Sequence, residues 1–181
     1  MLSKTIIDYI DTLPERVSRK SALAKKIAKE YELYAKKEDV LLSDAAALYC
    51  LGTQFVSERV LEKPDKLTET EHSVVNLIPF FSYQIIKNDE SIDANTKLMC
   101  LYYHNSESAF IRAGLKEHII PPITEVVNER KNELYTIDAF IGMTSKRAYR
   151  DALPIPKALQ ILKEDEQANK EVLEFLTKFY G

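Results

Sequence analysis

Residues 137–150 read Ile137-Asp138-Ala139-Phe140-Ile141-Gly142-Met143-Thr144-Ser145-Lys146-Arg147-Ala148-Tyr149-Arg150. A single acid, Asp138, stands among Ile137, Ala139, Phe140 and Ile141, and from Thr144 to Arg150 the segment turns polar and basic. Upstream, Val126, Val127, Leu134, Ile137, Phe140, Ile141 and Met143 recur at helical spacing, which predicts a long helix after Pro122. An inward carboxylate in such a helix is costly unless it is paired or bound to metal. Asp138 therefore demands a partner, and a core Tyr, Arg or Lys is the simplest one.

The same period governs the rest of the chain. Ile6, Ile7, Ile10 and Leu13 make a short stripe that Pro14 ends. From Ser18 to about Lys36, Leu23, Ile27, Tyr31 and Tyr34 face one side and Lys25, Lys26, Lys29 and Lys36 the other. Ser43–Asp44 read as an N-cap before Ala45-Ala46-Ala47-Leu48-Tyr49-Cys50-Leu51, a run small and apolar enough for the centre of the core. Thr68 and Glu71 form a capping box that opens a helix through Val74, Val75, Ile78, Phe81 and Ile85, in which Pro79 predicts a kink. Asp93 or Asn95 caps the next helix, through Leu98, Leu101 and Tyr102. Residues 105–122, punctuated by Gly114, Pro121 and Pro122, read as an irregular loop of roughly 15 residues. Pro156 suits the first turn of a helix with Ala158, Leu159 and Leu162, and Val172, Leu173, Phe175, Leu176 and Phe179 mark the last one. No strand-like alternation is present. The expectation is an all-α fold, a single bundle of about seven to nine helices, with residues 1–15 as an N-terminal helix packed on a bundle of residues 16–181.

Composition narrows the function. The 181 residues carry 25 Lys+Arg against 28 Asp+Glu, a net charge of −3, with 45% apolar and 29% charged residues, as in a globular domain. An acidic chain without a basic stripe argues against nucleic acid as a partner. No apolar run approaches membrane-spanning length, and Met1 to Tyr9 lack a signal-peptide layout. Cys50 and Cys100 make no disulfide framework, so a cytoplasmic setting is expected. Only four glycines exclude Rossmann and P-loop architectures. His72, His104 and His118 stand too far apart to pair on one helix face, and neither HExxH nor CxxC occurs. Cys50 sits in an apolar helix, where a thiol is inert packing. Ser106 and Ser108 flank Glu107 near His104 but lack a nucleophile elbow.

Residues 137–150 resemble the late motif of HD-GYP domains, bacterial cyclic-di-GMP phosphodiesterases, which runs like aDvFDALTSdRPYR. Asp138, Phe140, Thr144, Ser145, Arg147, Tyr149 and Arg150 fall in register. Residues 61–71, from Leu61 through Lys63-Pro64 to Thr68 and Glu71, are similar to iLxKPGkLTxeE. Gly114-Leu115-Lys116 through Ile120-Pro121 look like GLkgeeIP, and Ala46-Ala47-Leu48 before Gly52 stands where AaLLHDIGK would be.

The resemblance implies an all-α, HD-domain-like fold and a two- or three-iron (or manganese) centre held by histidines and carboxylates. Its ligand positions are largely replaced. The histidine and aspartate of HDIGK fall on Tyr49 and Cys50 and its lysine on Thr53. The first helix's histidine falls near Arg16 or Arg19, and the histidine before proline falls on Ile78. In the HHExxDGxGYP signature, Tyr102 and Tyr103 take the paired histidines, His104 the glutamate, Glu107 the aspartate, and Phe110, Ile111 and Arg112 the place of GYP. A slip of one residue restores His104 as a ligand, and Asp138 is the one matching metal position.

The expectation is thus a degenerate HD-GYP domain that binds no metal or cofactor, is not an enzyme, and works as a cytoplasmic signalling pseudoenzyme through protein–protein interaction. By the same resemblance, a GGDEF-type or other signalling protein is the expected partner, docking on the loop with Glu107, Phe110, Ile111 and Arg112. A second reading is a cyclic-dinucleotide receptor, with Lys146, Arg147 and Arg150 on the phosphates and Tyr149 on a base. A third is a single-zinc hydrolase built on Asp138, His104, Glu107 and Cys50.

Overall fold

In the computed structural model, residues 2–104, 107–146 and 151–181 are described, and no β-strand occurs among them. Among the described residues eleven α-helices follow one another: α1 (Lys4–Asp11), α2 (Glu15–Tyr34), α3 (Leu41–Leu48), α4 (Glu58–Leu61), α5 (Glu69–Val75), α6 (Ile78–Ile86), α7 (Ala94–Tyr102), α8 (Glu107–Arg112), α9 (Glu125–Thr144), α10 (Ile155–Glu164) and α11 (Lys170–Tyr180). Short 3₁₀ turns at Leu51–Phe55 and Glu117–Ile119 complete the order. The all-α bundle expected from periodicity is what forms, in keeping with the HD-domain-like fold that the resemblance implies. The several short segments, α4 and α8 above all, carry the number past the expected seven to nine.

Helix α3 is the hub, packed against α2, α7 and α9. Every residue from Ala45 to Leu51 is at most 1% exposed. Three consecutive alanines let neighbouring backbones come close: Ser21 Oγ donates to the Ala47 carbonyl at 2.6 Å, and Cys100 Sγ donates to that of Ala45 at 3.5 Å. Ala24 and Ala28 of α2 are likewise fully buried. Leu2, Ile6 and Leu13 at the N-terminus join the same hydrophobic cluster.

Several local expectations hold. Thr68 and Glu71 make both bonds of a capping box, Asp93 accepts from Asn95 N and Thr96 N, and Pro156 lies in the first turn of α10. Others change. Ser43 does not cap α3, which begins two residues earlier, at Leu41. The Ser43 amide instead donates to Glu32 Oε1 of α2 at 3.0 Å, and the Leu41 amide to Asp39 Oδ1 at 3.0 Å. A neighbouring helix thus supplies part of the cap. Pro79 kinks nothing: the chain breaks at Asn76–Leu77, and Pro79 stands in the first turn of α6, where it has no hydrogen bond to lose. Within the expected loop of 105–122, α8 forms. It ends where Leu115 N donates to Phe110 O at 3.1 Å, with Gly114 at φ 91°, a left-handed stop that favours glycine.

The 3₁₀ turn after α3 lies directly on α6. Gly52 N donates to Ser82 Oγ at 2.8 Å, and a Cβ at Gly52 would collide with the Ile78 carbonyl oxygen. This close approach seats the turn on α6, beside a cleft that α2, the turn, α6 and α9 line.

Candidate functional site

That cleft, about 640 Å³, is lined by Arg16, Arg19 and Lys20 of α2, Thr53 of the 3₁₀ turn, Ile78 of α6, Tyr103 and His104 after α7, and Asp138 of α9. Its size lies within the ~300–1,000 Å³ range of small-ligand sites. Of the positions at which the motif alignment places the family's ligands, Arg16, Arg19, Ile78, Tyr103, His104 and Asp138 line it. Tyr49 reaches the same place from α3, and Cys50 packs beside it, its thiol donating to the carbonyl of the cleft residue Val17 at 3.8 Å.

Asp138 is the polar centre. Its side chain, 21% exposed, accepts from Lys20 Nζ at 2.7 Å and from the Tyr49 hydroxyl at 2.9 Å. Burial pushes the Asp138 carboxyl up, but the adjacent Lys20 charge, with the bonds from Lys20 and Tyr49, outweighs it and holds the group below the usual aspartate range. Burial, and then the Asp138 charge, push the Tyr49 phenol well above its ordinary value, so it is a neutral donor. Tyr103 is raised for the same two reasons, and burial pushes the Cys50 thiol up to about 12. Tyr103 stands edge-on to Tyr49, with ring centroids 5.1 Å apart. His104 is stacked between Tyr103 and Tyr135, at 5.8 and 5.6 Å.

This donor set does not fit the binuclear iron or manganese centre of HD-GYP domains. Such a centre needs converging anionic and imidazole ligands. Here the inward carboxylate is already met by an ammonium, Tyr49 and Cys50 carry protonated groups, and Ile78 has no donor atom. Among the described residues no group of three His, Cys, Asp or Glu side chains could hold a metal ion. Glu107 is exposed on α8 rather than in the cleft wall.

Other expected site residues fall elsewhere. Phe110, expected as an exposed partner contact, is 1% exposed and packs against Tyr102 and Phe80. On this six-residue helix the large ring is the residue that buries against the core, so it turns inward. Ile111 and Arg112 stay exposed. Tyr102, aligned to a histidine, turns away from the cleft and donates to the Pro121 carbonyl at 2.6 Å. Lys146 lines the cleft. Arg147, Tyr149 and Arg150 lie outside the described residues.

Sequence reading passed over Lys20. Its signal was available: Asp138 called for a cationic or phenolic partner, and Lys20 is next to Arg19, one of the two positions aligned to the first helix's histidine.

Arg16, Arg19, Lys20 and Lys146 face Glu15 and Asp138 along this cleft, with Glu62 paired to Arg16 at 3.5 Å and Glu15 to Arg19 at 2.6 Å, which still leaves the wall net positive in a chain of net charge −3. The all-α bundle and its HD-GYP-like motifs agree with the known proteins to which the chain is similar. Over 126 residues (70% of this chain, 26% of the relative) it is 27% identical to the 3'3'-cGAMP-specific phosphodiesterase 3 of Vibrio cholerae. Over 148 residues (81% of this chain, 37% of the relative) it is 25% identical to the cyclic di-GMP phosphodiesterase response regulator RpfG of Xanthomonas campestris pv. campestris. The matched segments span between a quarter and two-fifths of these curated relatives. No family model matches the chain.

These relatives correct one expectation. The chain was expected not to be an enzyme, yet both relatives are named as phosphodiesterases. That expectation rested on the missing metal ligands alone. Phosphoryl-transfer catalysis is mostly positioning and charge stabilisation, which fixed cations can also supply. Loss of ligands therefore does not by itself remove activity. No helix among the described residues is long and apolar enough to cross a membrane.

Proposed function

We propose that this chain serves cyclic-dinucleotide signalling by engaging a cyclic dinucleotide in the cleft between α2 and α9. The observation that carries this reading is the sign of the cleft: its wall is net positive although the chain is net negative. A cyclic dinucleotide presents anionic phosphodiesters and flat bases. Guanidinium groups of Arg16 and Arg19 suit the former through paired N–H donors. The names of the two relatives point to the same ligand class. Isothermal titration of the full chain with 3'3'-cGAMP and with cyclic di-GMP tests it. Saturable binding weakened by Arg16→Ala is expected, and no heat with either ligand rejects the reading.

A second reading is that a protein partner, of GGDEF type or another signalling protein, docks on the outer side of α8. What favours it is the contrast on that helix: Phe110 is sunk in the core, while Ile111, 45% exposed, lies outside beside Arg112. Pull-down with a purified GGDEF protein, lost on Ile111→Asp, would support it.

A further inference from the structure

The polar centre of the cleft has the opposite charge arrangement from a divalent-metal site. Metal centres gather lone pairs and negative charge at one point. Here the inward carboxylate is met at 2.7 Å by the Lys20 ammonium and at 2.9 Å by a phenolic hydroxyl, both acting as donors. Lys20 Nζ also lies 5.0 Å from the centroid of the Tyr49 ring, so carboxylate and π face hold the same charge. Tyr49 is fully buried, and Tyr103 packs edge-on against its ring, which prevents it from swinging aside. The Lys20 side chain is 28% exposed and forms part of the cleft wall. An ammonium has three N–H donors and Asp138 takes one, which leaves capacity within reach of an entering anion.

We infer that Lys20 is the resident cation of this cleft and that, held by Asp138 and Tyr49, it receives a phosphodiester oxygen without any divalent metal. The inference rests on the reading of the cleft as a cyclic-dinucleotide site. Lys20 is then the binding residue, and Asp138 and Tyr49 are positioning residues that aim it. The protein's own side chain supplies the charge that a metal supplies in HD-GYP domains, and it cannot be removed by a chelator.

The test uses the full chain and two kinds of measurement. Titration with 3'3'-cGAMP is run in EDTA and again in manganese chloride, and the two Kd values are expected to agree. Lys20→Met is expected to weaken binding about tenfold or more, the worth of a charge-assisted hydrogen bond, with Lys20→Arg recovering most of it. Binding that vanishes in EDTA and returns with manganese overturns the inference while leaving the cyclic-dinucleotide site standing. Absence of binding in both buffers overturns site and inference together. Independently of any nucleotide, dialysis against manganese chloride and elemental analysis are expected to find no stoichiometric metal. One or more tightly held manganese ions per chain overturns the inference.

Discussion

Helix α9 carries two inward carboxylates, Glu133 and Asp138, and the molecule surrounds them differently. The Glu133 side chain is 4% exposed and closed off by two cations: Lys37 Nζ at 3.0 Å, and Arg130, whose Nε and Nη2 donate at 3.2 and 3.1 Å. Arg130 is in turn held by both carboxylate oxygens of Asp39, at 2.9 Å each. This knot pins the segment after α2 to α9 and uses up its own charge. Asp138 has one cation and one phenol, and it opens on a cleft that carries further positive charge. A buried carboxylate with a full complement of partners is structural. One that holds a cation at the edge of a cavity leaves that cation available for a ligand.

This contrast predicts a graded series. Glu133→Ala leaves Lys37 and Arg130 facing each other with little water, and the expected loss is about 3 kcal/mol of unfolding free energy, read by urea denaturation. Asp138→Asn frees Lys20, which can turn toward solvent, so about 1.5 kcal/mol is expected. A loss at Asp138 equal to that at Glu133 would erase the distinction. Tyr49→Phe removes one bond to a charged acceptor without opening a cavity, and about 1 kcal/mol is expected, together with weaker ligand binding. Asp39→Ala, at the exposed end of the knot, should cost under about 1 kcal/mol.

The pH dependence sharpens the same comparison. Because the folded state lowers the Asp138 pKa, its stabilisation is fully present above the ordinary aspartate value and is lost as pH falls through the lower, folded one. Urea midpoints measured downward from about pH 5 should therefore fall less steeply for Asp138→Asn than for the unaltered chain.

Much of the scaffold was legible along the chain because its causes are local. The capping box at Thr68, the Asp93 cap, Pro156 and the run Ala45–Leu51 depend on residues within a turn of one another. The expectations that failed depend on distant ones. Helix α3 starts early because Glu32 reaches across from α2, and Phe110 is buried because Phe80, distant in sequence, and Tyr102 give its ring a place to pack. The cleft was half legible: the motif alignment named Tyr49, Ile78, Tyr103, His104 and Asp138, but not the lysine that completes the polar centre.

By itself the amino-acid sequence determined an all-helical bundle, its HD-GYP-like motifs and the need of Asp138 for a partner, since periodicity, caps and the cost of a buried charge act over short range. Only the tertiary structure decided that the partners are Tyr49, 89 positions away, and Lys20 on another helix. Which cation reaches a carboxylate depends on how helices cross, and that is set by the packing of alanines and aromatic rings through the whole core.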